Sequence, residues 1–166
     1  RRLTNDAVGA DDSWHWSDAC SLGAAPVLLI RGDAFAVQMD PAARSVHFSR
    51  FGTVGFCRGC PVGRRAWYEV TIVEALTDPQ IGFATRRFTP SLGNSSDGVG
   101  DDDASWGVDG IRRKRWSAGG SQDWAAAWKE GDVVGFACDL EAQSIAVSVN
   151  GDFSPPNGAV FDLSAA

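Results

Sequence analysis

Between residues 132 and 150 apolar side chains recur at every second position, and this alternation restricts the fold more than any other feature. Val134, Phe136, Cys138 and Leu140 share one phase; Ile145, Val147 and Val149 share another a few residues on. Successive side chains of an extended strand point to opposite faces, so each phase makes one apolar face of a sheet. The intervening Glu141-Ala142-Gln143 is polar and of hairpin length. Asn150-Gly151 then supplies the left-handed backbone that a two-residue hairpin turn needs. Three antiparallel strands in meander order are expected from these residues alone.

The same period continues upstream. Tyr68, Val70 and Ile72 alternate within residues 67–73, Asp78-Pro79 marks a turn, and residues 81–85 supply a partner strand. Residues 86–103 are rich in Pro, Gly, Ser, Asn and Asp without periodicity, which predicts a long surface loop. Trp106, Val108 and residues 111–116 resume strand-like pieces around the turn Asp109-Gly110, and residues 27–30, 35–37, 46–48 and 53–56 read as four further short strands. Helical spacing is confined to one or two turns at residues 124–129. Many short strands joined by Gly-rich turns predict a sandwich or barrel. Seven Trp, nine Phe and nineteen Gly among 166 residues fit that reading, with aromatics for the interior and glycines for the turns. The length suits one domain, expected over residues 24–166. Residues 1–23 are polar and acidic, and are expected to be an extension packed along it by Trp14 and Trp16.

A net charge of −6 repels the phosphate backbone, so no nucleic-acid partner is expected. The longest apolar run, residues 24–30 with Pro26 inside it, is too short to cross a bilayer. The chain opens on Arg1-Arg2 without Met or a signal peptide, so it is expected to be an excerpt of a longer protein. Cys20, Cys57, Cys60 and Cys138 are expected to be reduced, because a chain this long folds without staples and Cys138 falls in an apolar strand phase. That implies an intracellular, cytoplasmic setting and a domain that is monomeric in isolation.

Residues that invite chemistry have plainer explanations. Cys57-x-x-Cys60 lacks the further ligands a zinc site requires, since His15, His47 and Cys20 are not suitably spaced, and Pro61-Val62-Gly63 leads toward another strand rather than a redox helix. Asp101-Asp102-Asp103 clusters carboxylates, but consecutive residues diverge and the spacing of a calcium loop is absent. Arg112-Arg113-Lys114-Arg115 can meet phosphate or an acidic peptide, yet such a run more often solubilises an exposed hairpin. No motif sets a Ser or Cys beside His15 or His47, and Gly98-x-Gly100 lacks the strand-to-helix setting of a phosphate loop. No catalytic residue, metal or cofactor is expected, and the chain is read as a non-enzyme.

Three ordered blocks carry a family likeness. Arg65-Ala66-Trp67-Tyr68-Glu69-Val70 precedes Gln80-Ile81-Gly82-Phe83-Ala84. Gly98-Val99-Gly100-Asp101-Asp102-Asp103-Ala104-Ser105-Trp106-Gly107-Val108-Asp109-Gly110 precedes Arg115-Trp116. Trp128-Lys129-Glu130-Gly131-Asp132-Val133-Val134-Gly135 precedes Asp139-Leu140 and the run from Val147 to Asp152. Together they resemble the SPRY domain family over roughly residues 27–160. The resemblance implies an all-β fold, a bent two-sheet antiparallel β-sandwich of the concanavalin-like, SPRY type, with Trp106, Trp116 and Trp128 as core anchors whose indole N–H groups each need a partner. It also implies a non-catalytic protein–protein interaction module that binds a short linear segment of a partner through loops at one end of the sandwich. By position these loops are residues 44–58 and 89–97. Within them Arg50 and Arg58 are expected to meet acidic side chains or peptide carbonyls, Phe51 to give an apolar contact, and Asn94, Ser95 and Ser96 to hydrogen-bond peptide backbone. Peptide-binding relatives commonly carry Tyr near the position of Ser95, which departs from that specificity. The family pattern runs on past Ala166, so its final strand is expected to be missing here, leaving an open sheet edge. Two other readings are a lectin-like carbohydrate-binding module and a structural docking module within a larger channel or scaffold protein.

Overall fold

The computed structural model describes residues 3–4, 27–32, 37–40, 45–49, 51–56, 64–74, 77–88 and 97–164. These carry the strands β1 (Leu3–Thr4), β2 (Val27–Gly32), β3 (Val37–Asp40), β4 (Ser45–Phe48), β5 (Gly52–Phe56), β6 (Arg65–Ile72) and β7 (Ile81–Ala84). They continue with β8 (Ser105–Asp109), β9 (Lys114–Ser117), β10 (Gly120–Asp123), β11 (Val133–Asp139), β12 (Ser144–Val149) and β13 (Gly158–Asp162). There is no helix among the described residues. The sheets run β13-β12-β11-β6-β1-β4-β3, then β10-β9-β8-β7, with β2 and β5 as a separate pair.

Alternation builds the large sheet as the sequence predicts. Phe136 stands opposite Tyr68 on β6 and Val147 on β12, with Val134 beside Val70 and Val149, so one phase of all three strands faces inward. Leu140 closes its run half-buried, donating its N–H to the Arg64 carbonyl at 3.1 Å. The β12–β13 turn has φ of 53° at Asn150 and 79° at Gly151, the two left-handed residues that match the twist of a hairpin. Between β11 and β12 the Asp139 carboxylate accepts the N–H groups of Glu141 and Ala142 at 3.0 and 2.8 Å, which ties the polar connection to its strand.

Against this face lies the four-stranded sheet. Val108 of β8 is wholly buried among Val134, Phe136 and Val147, with Ile81, Phe83 and Trp106 packed around them. The two layers form a β-sandwich. Tyr68 and Phe136 stack at 5.0 Å between ring centres, and Phe83 meets Tyr68 edge-on at 5.3 Å. The Tyr68 hydroxyl donates to the Gly82 carbonyl at 2.6 Å, a bond from one layer to the other. Burial pushes the acidity of that phenol far down, so it stays a neutral donor at any pH the fold meets.

Residues 124–129 correct the helical reading. They run extended, with Trp124, Ala126 and Trp128 buried and Ala125, Ala127 and Lys129 exposed. The Trp124 and Trp128 amides donate to the carbonyls of Arg113 and Gly110, and that pairing across the β8–β9 turn replaces the bonds a helix would have made. The three family tryptophans are likewise not equivalent. Trp128 is buried, while Trp106 and Trp116 are half-buried. Trp124 joins Trp128 edge-on at 6.0 Å and donates its indole N–H to the Pro156 carbonyl at 3.0 Å. Among the described residues the Trp128 indole N–H has no acceptor, contrary to expectation.

The strand β1 enters the large sheet between β4 and β6. Trp14 and Trp16, expected to hold the N-terminal segment, lie outside the described residues, as do Cys20, Cys57 and Cys60.

The turn before β11 makes a pH-dependent clamp. Asp132 is buried, and that alone would raise its pKa. The Lys129 ammonium, the Asn150 amide and the Lys129 N–H, at 2.7, 3.0 and 2.8 Å, outweigh burial and hold the carboxyl below its usual range. A depressed native pKa adds stability above the unfolded value of roughly pH 4, and that stability is lost as pH falls through the native value. Asp132→Asn is therefore expected to flatten the acid limb of a stability–pH curve followed by chemical denaturation.

Candidate functional site

The long β7–β8 connection leaves and re-enters the sandwich through a fixed neck. The Thr85 N–H donates to the Ala104 carbonyl at 2.8 Å, and the Phe88 N–H returns to the Thr85 carbonyl at 3.1 Å. The Thr85 hydroxyl oxygen accepts the Arg87 N–H at 3.2 Å, turning the chain outward with Arg86 and Arg87 exposed.

The return limb is held from within. Asp101 accepts from the Gln80 amide at 2.9 Å and from the Gly98 N–H at 2.8 Å. Asp102 accepts from the Ser105 hydroxyl and the Ala104 N–H, at 2.5 and 3.1 Å, and the Ser105 oxygen accepts the Gly100 N–H at 2.7 Å. Two of the three clustered carboxylates are thus engaged in turn construction, and Asp103 is exposed. Among the described residues no group of three His, Cys, Asp or Glu gathers at metal-binding distance. Two glycines admit the neck to its place. A Cβ on Gly107 would lie 2.1 Å from the Val99 carbonyl oxygen, and one on Gly100 would lie 2.6 Å from the Trp116 backbone oxygen.

The basic run is largely committed inside the domain. Arg112 pairs with the buried Asp109 at 2.6 Å, with Asp78 at 3.5 Å, and lies over the Trp116 ring at 4.4 Å. Lys114 pairs with Asp123, which this holds below the usual carboxylate range. Arg115 reaches Gln122 and the Val160 carbonyl. These contacts hold the β8–β9–β10 meander together.

Of the residues expected to bind a partner, Phe51 is described. It precedes β5 and is 46% exposed, one of three large hydrophobic residues so exposed among the described residues. Arg50, Arg58, Asn94, Ser95 and Ser96 lie outside the described residues, so the structure does not bring the expected set together. It shows instead the supports of the second loop. Gln80, Thr85 and Ser105 in that role were not anticipated, because a lone Gln or Ser has no periodic signature. The Gly98-x-Gly100 pair was the one local signal, since closely spaced glycines mark tight backbone approach.

Compared with known families, residues 65–164 match the SPRY domain model. The match runs from the first residue of β6 through β13, and so takes in both layers of the sandwich core.

Proposed function

The chain belongs to the SPRY domain family, whose members are generally non-catalytic protein-interaction modules, and from that premise we propose that it binds a short linear segment of a partner protein through its end loops. The segment is held by the loops of residues 44–58 and 89–97. Phe51 gives the apolar contact, Arg50 and Arg58 take acidic side chains or carbonyls, and Asn94, Ser95 and Ser96 hydrogen-bond the peptide backbone. The observation that carries this reading is the family match, and the exposure of Phe51 next to β5 supports it by leaving an aromatic ring available to a partner. The hydrogen-bonded neck formed by residues 85–88 and 97–105 supports it, because loops on a stiff frame lose less entropy on binding. We place the domain inside the cell, where Cys138, buried in β11, serves as a small hydrophobe.

A peptide array probed with the wild type, with Phe51→Ala and with the double variant Arg50→Ala/Arg58→Ala tests this. Captured peptides are expected to lose binding by about tenfold or more in each variant, the loss typical of a hot spot. Unchanged binding in all variants moves the site elsewhere.

A further inference from the structure

The two layers part along one side of the sandwich, between β13 and the β9–β10 hairpin. The resulting cleft has a volume of about 620 Å³, and Trp106, Arg115, Gln122, Phe161 and Asp162 are among its walls. None of its lining residues belongs to the loops of residues 44–58 and 89–97.

Arg115 is the unusual feature. It faces the same way as Val108, its partner in register, but lies beyond the apolar core and is half-buried. Its Nε and Nη2 donate to the Gln122 Oε1 at 3.0 and 2.5 Å, and its Nη1 to the Val160 carbonyl at 2.5 Å. Both acceptors are neutral, and among the described residues no carboxylate pairs with it, unlike Arg112 and Lys114 nearby. A guanidinium has five N–H donors; three are used, which leaves one on each terminal nitrogen. A partly desolvated cation with two donors left gains most from a carboxylate, which takes both at once.

Beside Arg115 runs β13, an edge strand bonded on one side to β12 and without a strand on the other among the described residues. Its register shifts at Ile145/Ala146, so Val160 and Phe161 are both buried and the Val160 carbonyl turns to Arg115. An open edge invites an added strand. Asp162 also lines the cleft, its carboxylate accepting the Ser164 N–H at 2.8 Å, so a run of acidic residues is disfavoured there.

We propose that this cleft is a second docking site, taking an extended polypeptide segment that runs along β13 and sets one glutamate or aspartate side chain on Arg115. It is separate from the loop site and does not depend on it.

The test uses a blocked, alternating Thr/Val peptide with one central glutamate, its glutamine counterpart, and acetate alone, each titrated into the ¹⁵N-labelled chain. The glutamate peptide is expected to shift the amides of Arg115, Gln122 and residues 159–162, and to bind about tenfold more tightly than the glutamine peptide. Arg115→Gln is expected to erase that difference; should this variant not fold, the wild-type comparison decides alone. Equal affinity of the two peptides overturns the proposal. So does acetate shifting the same amides as strongly as the peptide, which means anion capture without strand docking. Shifts confined to residues 44–58 and 89–97 also overturn it, while leaving the loop reading intact.

Discussion

Replacing Phe136 with alanine is expected to destabilise the domain by about 3–5 kcal/mol, the cost of deleting a fully enclosed aromatic side chain. Phe136 is 1% exposed, stacks on Tyr68 at 5.0 Å and meets Trp128 edge-on at 6.3 Å. It joins the two layers and the extended segment of residues 124–129, and removing it leaves a cavity that strand backbones cannot close. Denaturant unfolding should show a lower midpoint with an unchanged slope. Phe153→Ala is the control. Phe153 is 50% exposed, and its loss should change stability by less than about 0.5 kcal/mol.

Gly100→Ala is expected to be nearly as severe, and to weaken partner binding as well. Gly100 has φ of +102°, and a Cβ there would lie 2.6 Å from the Trp116 Cβ and 2.9 Å from the Gly107 nitrogen. Backbone strain of about 1–3 kcal/mol adds to a comparable overpacking cost. Relief requires the neck to move away from β9, which breaks the Gly100 N–H to Ser105 bond and displaces the base of the second loop. Gly131→Ala separates the two causes. Gly131 has φ of +89° with nothing within 4 Å of its Cβ position, so it carries the strain without the collision. A loss of about 1–2 kcal/mol is expected there, with binding retained. Thermal unfolding and peptide titration on both variants check the pair.

The strands β11 and β12 and the Asn150-Gly151 turn were legible because their signals are local: a period of two and a turn dipeptide. The Asp132 clamp depends on more than local sequence, because its Asn150 contact comes from tertiary structure. The segment of residues 124–129 misled because Trp124 and Trp128 stand four apart, separated by helix-favouring alanines. Period two and period four coincide at that spacing, and the Gly110 and Arg113 carbonyls decide between them. The strand β10 left no trace in the pattern because all four of its residues are exposed and its pairing with β9 is by backbone. Of the strand read at residues 35–37, Val37 opens β3, paired with β4, and residues 35 and 36 lie outside the described residues. As for the candidate site, sequence could name exposed loop residues by likeness. It could not show that Arg115 turns inward while Arg112 and Lys114 find carboxylates, because that follows from strand register.

The account rests on β6, β11 and β12 acting as one cooperative frame that holds the loops in place, and native-state amide exchange measures this directly. The amides of Val70, Val134, Phe136, Ile145 and Val147 are predicted to exchange only through global unfolding, with the opening free energy that denaturant titration gives for the whole domain. Exchange of those amides at scattered, much lower free energies would contradict the frame and the recognition surface built on it.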